Sequence, residues 1–242
     1  MNADEIVFLK TIEGKKMRNL LQENGNVKQC IAFDIETVMS DNTDMYIDKF
    51  KTFKAPSNYK SKDAIENYIE NAKGKERAKA ALYIPTQRVW VICAEVVKTR
   101  DKVSFSDTDE RKVIRHFFEF LESYEDHVLF GFNSRGFDFP ALYAASCRNE
   151  IGVPPQLRST SLMSDVLDDF YHVKVKLQDI AFLMGKEKTM SGADVGQAYL
   201  SYIIDGNVSA LESVIEYCHC DVDICAEYVR RAYFTLEDKI PF

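Results

Sequence analysis

The sequence predicts an α/β domain with a mixed central sheet flanked by α-helices, and three observations predict it. The run Gln29-Cys30-Ile31-Ala32-Phe33-Asp34-Ile35 is nearly continuous in apolar residues, as a strand buried on both faces must be. Two strand-like segments joined by a short turn follow near residues 88–106, and helical periodicity with one more strand fills the rest. The length of 242 residues, 46% of them hydrophobic and 29% charged, suits one such domain with an elaborated edge.

Element by element, residues 1–27 hold the apolar stretch Ile6-Val7-Phe8-Leu9 and end in the turn signal Asn24-Gly25-Asn26, which marks an N-terminal extension to a domain over 28–242. Residues 45–84 are charged, with Ala64, Ile65, Tyr68, Ile69 and Ala72 at helical spacing, so one or two helices are inserted there. Strands over 88–97 and 102–106 follow, with Thr99-Arg100-Asp101 as the hairpin turn. Asp109 opens a helix whose inner face is Val113, Ile114, Phe117, Phe118 and Leu121. A buried strand covers 127–132, and a helix runs from near Phe137 to Arg148. Beyond Pro154-Pro155 the chain reads as helix throughout: 165–171, 177–184, 193–204 and a long one over 208–234.

Composition narrows the function classes. No apolar run approaches the roughly 18 residues of a membrane span, and no basic flank precedes an apolar stretch at the start. The expectation is an intracellular, cytoplasmic protein without a membrane partner. The six cysteines follow no framework and contain no C-x-x-C pair, which reads as buried free thiols in a reducing compartment. The net charge of −7 is uneven: residues 49–79 carry nine basic side chains against four acidic ones. That stretch is a solvated helical surface or a contact for phosphates; both readings stay open.

Three segments carry chemistry. In Asp34-Ile35-Glu36-Thr37, strand alternation puts both carboxylates on one face, where they repel each other unless a hard divalent cation compensates. A solvated strand end would look the same. In Gly131-Phe132-Asn133-Ser134-Arg135-Gly136-Phe137-Asp138, a strand ends and a helix begins; Asp138 there is a helix cap or a carboxylate at the sheet edge where α/β proteins keep their sites. Tyr217 and Asp221 lie four apart, so they share one face of the last helix, as a surface pair or as part of a site.

Taken together, D-x-E, N-x-x-x-F-D and Y-x-x-x-D in this order resemble the DEDD exonucleases of the ribonuclease-H-like fold, in their tyrosine (DEDDy) form. The second motif is most similar to the exonuclease domain of family-B DNA polymerases and to free-standing exonucleases related to it. Ala81-Leu82-Tyr83 with Pro85-Thr86, Asp165 opening a helix, and Gly192-Ala193-Asp194-Val195 look alike too, so the resemblance spans about 28–234. The histidine branch of that superfamily would need His at position 216, where this chain has Glu216.

The resemblance implies a 3′→5′ exonuclease that hydrolyses the terminal phosphodiester with two divalent cations, Mg²⁺ or Mn²⁺, and releases nucleoside 5′-monophosphates. Asp34 would bridge both ions, Glu36 and Asp221 would hold the nucleophile side, and Asp138 would help the other. Tyr217 would orient the attacking water. Thr37, Asn133 and Phe137 would bind the terminal nucleotide, although core packing accounts for Phe137 equally well. The 3′ end of single-stranded DNA is the expected substrate. An exoribonuclease, or a non-catalytic nucleic-acid-binding module on the same fold, is the alternative; four intact carboxylates argue against the latter. Replication or repair partners are not legible.

Overall fold

The structure is a computed structural model that describes residues 29–234 except 171, 172, 189 and 191. The N-terminal extension expected over residues 1–27 lies outside the described residues. Five strands form one mixed sheet in the order β3-β2-β1-β4-β5: β1 (Cys30–Met39), β2 (Gln87–Val96), β3 (Asp101–Ser106), β4 (Val128–Gly131) and β5 (Met163–Asp165). β1 is central, antiparallel to β2 and parallel to β4, and β4 is parallel to β5. The expected mixed sheet flanked by helices is therefore the observed fold.

The helices are α1 (Thr43–Phe50), α2 (Lys62–Arg77), α3 (Glu110–Glu122), α4 (Asp138–Asn149), α5 (Pro155–Arg158), α6 (Val166–Asp169), α7 (Leu177–Leu183), α8 (Gly192–Asp205) and α9 (Val208–Val229), with α9 passing into a π turn over Arg230–Phe234. α1 and α2 are the inserted helices. Asp109 caps α3 by accepting from the Arg111 N–H at 2.9 Å, and all five residues of its expected inner face are buried.

Two expectations need correction. The chain beyond Pro154-Pro155 is not helix throughout, because Met163–Asp165 forms the fifth strand beside β4. Three residues are too few to show an alternation, so only pairing with β4 reveals it. The cysteines are free but not all buried: Cys147 is exposed and Cys220 partly so.

The sheet divides two cores, and period-2 alternation assigns each β1 residue to one of them. Ile31, Phe33 and Ile35 face α3 and α4, joining Ile114, Phe117 and Leu142. Cys30, Ala32 and Val38 face the other side, against Val214, Cys218, Val222 and Cys225 of α9. By the same alternation Asp34 and Glu36 belong to the α9 face. β1 and β2 slip register between Glu36 and Thr37, where Val91 opposes Glu36 and Val89 opposes Thr37. Trp90 is the extra residue of this bulge, and its ring packs edge-on against Tyr199 of α8, 4.8 Å between centroids. The Arg230 guanidinium bonds the buried Glu95 carboxylate and the Val97 carbonyl, which ties the end of α9 to β2. Among the described residues no helix is long and apolar enough to cross a membrane.

Candidate active site

The acids of the first motif lie in the middle of β1, followed at once by the bulge. Glu36 is buried, and Asp34 opposes Cys93 of β2. The Cys218 thiol of α9 donates to the Asp34 carbonyl at 3.4 Å and to its carboxylate at 3.6 Å, so this strand and the last helix are in direct contact. Ligand atoms of Asp34, Glu36 and Cys218 all lie within 4.8 Å of one another.

Asp138 is the first residue of α4, and it is not the cap: Phe137 occupies that position without a side-chain bond. The Asp138 carboxylate instead accepts from the backbone N–H of Ile35 at 3.2 Å, between the two acids of β1. The turn that aims it is held by Asp165 at the end of β5. That carboxylate accepts from the N–H groups of Asn133 (2.9 Å), Arg135 (3.1 Å) and Leu167 (2.8 Å). Asn133 itself sits at φ 54°, a left-handed conformation that asparagine tolerates. A Cβ on Gly136 would come within 2.5 Å of the Asn133 amide oxygen, so any larger residue there would displace the Asn133 side chain.

Tyr217 and Asp221 come from α9, and both are buried rather than a surface pair. Lys188, in the segment between α7 and α8, reaches into the same place. Its ammonium donates to the Asp221 carboxylate at 2.8 Å and to the Tyr217 hydroxyl at 3.3 Å. Nothing in the sequence singles out Lys188, since a lone lysine in a polar connection carries no pattern.

Burial and mutual repulsion set the electrostatics. Asp34 is pushed well above the usual carboxylate range, first by burial and then by the charges of Asp138, Glu36 and Asp221. Glu36 is raised to about 8 by burial and by Asp221 and Asp138, with Lys188 opposing. Asp138 is raised to about 7 by burial, against the pull of its backbone hydrogen bonds. Asp221 is raised by burial although Lys188 favours its charge. Tyr217 is raised too, by burial and the nearby Asp221, and so keeps its proton. The four acids thus converge from β1, α4 and α9.

The donor set fits hard divalent cations. It is built of carboxylate oxygens, and one of them, Asp221 Oδ1, is buried without a hydrogen-bond partner. Cys218 is a poor ligand, because burial holds its thiol protonated and the proton goes to Asp34. His219 is half-buried and bonds Cys93, which is pulled down to about 6 chiefly by Cys218; this is a structural role.

The expected substrate-binding residues are placed unevenly. The Thr37 hydroxyl is committed to the Ala81 carbonyl at 2.6 Å. Asn133 is exposed at the mouth of its turn, and Phe137 is half-buried against the α3 core.

A family model described as the RNase_H superfamily matches residues 80–231, well over half of the chain. The chain belongs to the RNase_H superfamily. The matched stretch contains Asp138, Lys188, Tyr217 and Asp221; Asp34 and Glu36 precede it and join them through β1. No curated protein matches the chain. Among solved structures this RNase_H-superfamily fold is similar to the family B DNA polymerase from the hyperthermophilic archaeon Pyrobaculum calidifontis, with a TM-score of 0.53 and 19% identity. The likeness covers 86% of this chain and 25% of the polymerase, so the chain spans about a quarter of that protein's length. Superfamily membership together with the buried acidic cluster supports a nuclease acting on nucleic acid.

Proposed function

We propose that the protein is a metal-dependent 3′→5′ exonuclease of the tyrosine type, removing nucleoside 5′-monophosphates from the end of single-stranded DNA. The observation that carries this reading is the convergence of Asp34, Glu36, Asp138 and Asp221, each raised by burial and two of them, Asp34 and Glu36, also by the charges of the others. Such a group is costly in a folded protein unless positive charge occupies it.

Asp34, Glu36, Asp138 and Asp221 would hold two Mg²⁺ or Mn²⁺ ions. When bound, these would lower the pKa of water and offset charge on the phosphoryl oxygens. The residues of the chain do the rest. Tyr217 keeps its proton, so its hydroxyl orients the attacking water rather than deprotonating it. Lys188 stands beside Tyr217 and Asp221, where its ammonium can pair with a non-bridging phosphate oxygen. Attack of water on phosphorus breaks the bond to the 3′ oxygen of the preceding nucleotide. The products are a 5′-monophosphate and a strand with a new 3′ hydroxyl.

The test is digestion of single-stranded and duplex DNA and RNA, labelled at either end, with Mg²⁺, Mn²⁺ or EDTA. Stepwise loss of mononucleotide from the 3′ end, abolished by EDTA, is expected. Release from the 5′ end, or activity undiminished in Asp34→Ala, overturns the reading.

A further inference from the structure

The inserted helices enclose a cleft of about 450 Å³ that the acidic cluster does not use. Its walls are Tyr46 and Ile47 of α1, Leu82 and Tyr83 of the turn before β2, and its rim carries Lys51, Lys79 and Glu76. The two tyrosine rings meet edge-on at 5.8 Å, their hydroxyls 3.1 Å apart, and Lys51 lies over the Tyr83 ring at 5.5 Å. Leu82 is 72% exposed and Tyr83 46%, so apolar and aromatic surface stays open to solvent at the cleft.

Two features connect this cleft to the acids. The Thr37 hydroxyl, next to Glu36, donates to the carbonyl of Ala81, and Leu82 and Tyr83 follow directly. The floor of the cleft is also fastened to the end of β1, by Ser40 N–H to the Thr86 carbonyl at 2.8 Å and Thr43 Oγ1 to the Ser40 carbonyl at 2.7 Å. From Glu36 to Ser40 is roughly 13 Å of extended strand, at most about four nucleotides at the ~3.4 Å rise of a duplex and fewer in an extended single strand.

We propose that this cleft is a second subsite, which holds an unpaired base of the substrate strand a few nucleotides from the cleaved bond. The inference rests on the nuclease reading for the identity of the strand. Its chemistry is that of a base: flat aromatic and aliphatic walls for the ring, and a carboxylate, Glu76, to accept from exocyclic amino groups. Lys51 and Lys79 both pair with Glu76, at 3.0 and 3.6 Å, and Lys79, 71% exposed at the rim, is the one placed to meet a phosphate as well. A paired base cannot enter, so the cleft selects single strands. Two other basic side chains hold the insertion together: Lys73 pairs with Asp48, and Arg77 with Asp44 and Glu70, each at 2.6 Å.

The experiment is fluorescence anisotropy in EDTA with 5′-labelled oligodeoxycytidylates of two and twelve nucleotides, whose bases carry the amino group, on the full chain. Tyr83→Ala is expected to weaken the twelve-mer by ~5- to 150-fold, the range for loss of one stacked base, and to leave the dinucleotide within about twofold, since it ends short of the cleft. Tyr83→Phe, which keeps the ring, is expected to bind as the unsubstituted protein does. One abasic position in the twelve-mer should weaken the unsubstituted protein and have no further effect in Tyr83→Ala. Equal binding of the twelve-mer by Tyr83→Ala, equal loss on both lengths, or no binding by the unsubstituted protein overturns the subsite. A length-dependent loss in a protein that releases no mononucleotide with Mn²⁺ supports the subsite and refutes the nuclease reading. Normal digestion by Tyr83→Ala at every length does the reverse.

Discussion

The Asp138 carboxylate accepts a hydrogen bond from the backbone N–H of Ile35, across 103 positions of sequence. Ile35 stands between Asp34 and Glu36, so one bond fixes the second motif against the first. Asp138 therefore has two separable properties, an acceptor that satisfies a buried N–H and a charge that repels its neighbours. Asp138→Asn keeps the acceptor and loses the charge, and it should retain or raise the melting temperature of the metal-free protein. Asp138→Ala leaves the N–H buried and unpaired, at a cost of about 1–3 kcal/mol. Both should lose nuclease activity. Thermal melts at pH 8 in EDTA compare them, and an Asn variant less stable than the Ala variant contradicts the account.

Asp34→Ala and Asp221→Ala should each abolish 3′-end digestion while circular dichroism shows an intact fold. Removal of Asp34 relieves repulsion felt from three other acids, so the metal-free variant should melt no lower than the parent. A large drop in melting temperature would mean that Asp34 supports the fold rather than the chemistry.

The raised carboxylates set a pH dependence. Glu36 lies at about 8 and Asp138 at about 7 in the folded protein, against roughly 4.3 and 3.9 in an unfolded chain. The folded state holds these protons more tightly. That stability is fully present below about pH 4 and is lost as pH rises through 7 and 8, by at most about 1.4 kcal/mol per pH unit for each group. The metal-free protein should thus melt lower at pH 9 than at pH 6, and Glu36→Gln should flatten the curve. Millimolar Mn²⁺ should raise the melting temperature most at the alkaline end, where the site is charged. A melting temperature insensitive to both Mn²⁺ and pH contradicts the proposed site.

Tyr217→Phe removes one hydrogen bond and no carboxylate, so kcat should fall by ~5- to 150-fold, the effect of 1–3 kcal/mol on a barrier, rather than vanish. Lys188→Met removes the cation that offsets Asp221. Apparent affinity for Mn²⁺ should rise while kcat falls, and a variant with unchanged kcat would exclude a role for Lys188 at the phosphate.

Asp165→Ala tests the support of the turn. It removes the acceptor for the N–H groups of Asn133, Arg135 and Leu167 at once, and destabilisation of at least ~2 kcal/mol is expected. Activity should fall further than stability alone accounts for, because Asp138 loses its aim. Comparison with Asp165→Asn in urea melts and in digestion checks this.

How much of this was legible beforehand follows from the range of the forces involved. The continuous apolar run over Cys30–Ile35 marks a buried strand, strand geometry puts Asp34 and Glu36 on one face, and the i, i+4 spacing puts Tyr217 and Asp221 on one side of α9. The inner face of α3 is legible for the same reason, since periodic burial writes itself into neighbouring residues. The three-residue β5 was not, because nothing local distinguishes it from its surroundings. The resemblance proposed the gathering of the acids; it did not name Lys188 or the part Asp165 plays in holding the turn.

Sequence alone determined which side chains share a strand or helix face, because backbone geometry repeats every few residues. Tertiary structure decided what those faces meet: the Ile35 N–H held by Asp138, the Lys188 ammonium between Tyr217 and Asp221, and the cleft walled by Tyr46 and Tyr83. Those partners lie tens of residues apart, and the raised pKa values exist only once water has been expelled from between them.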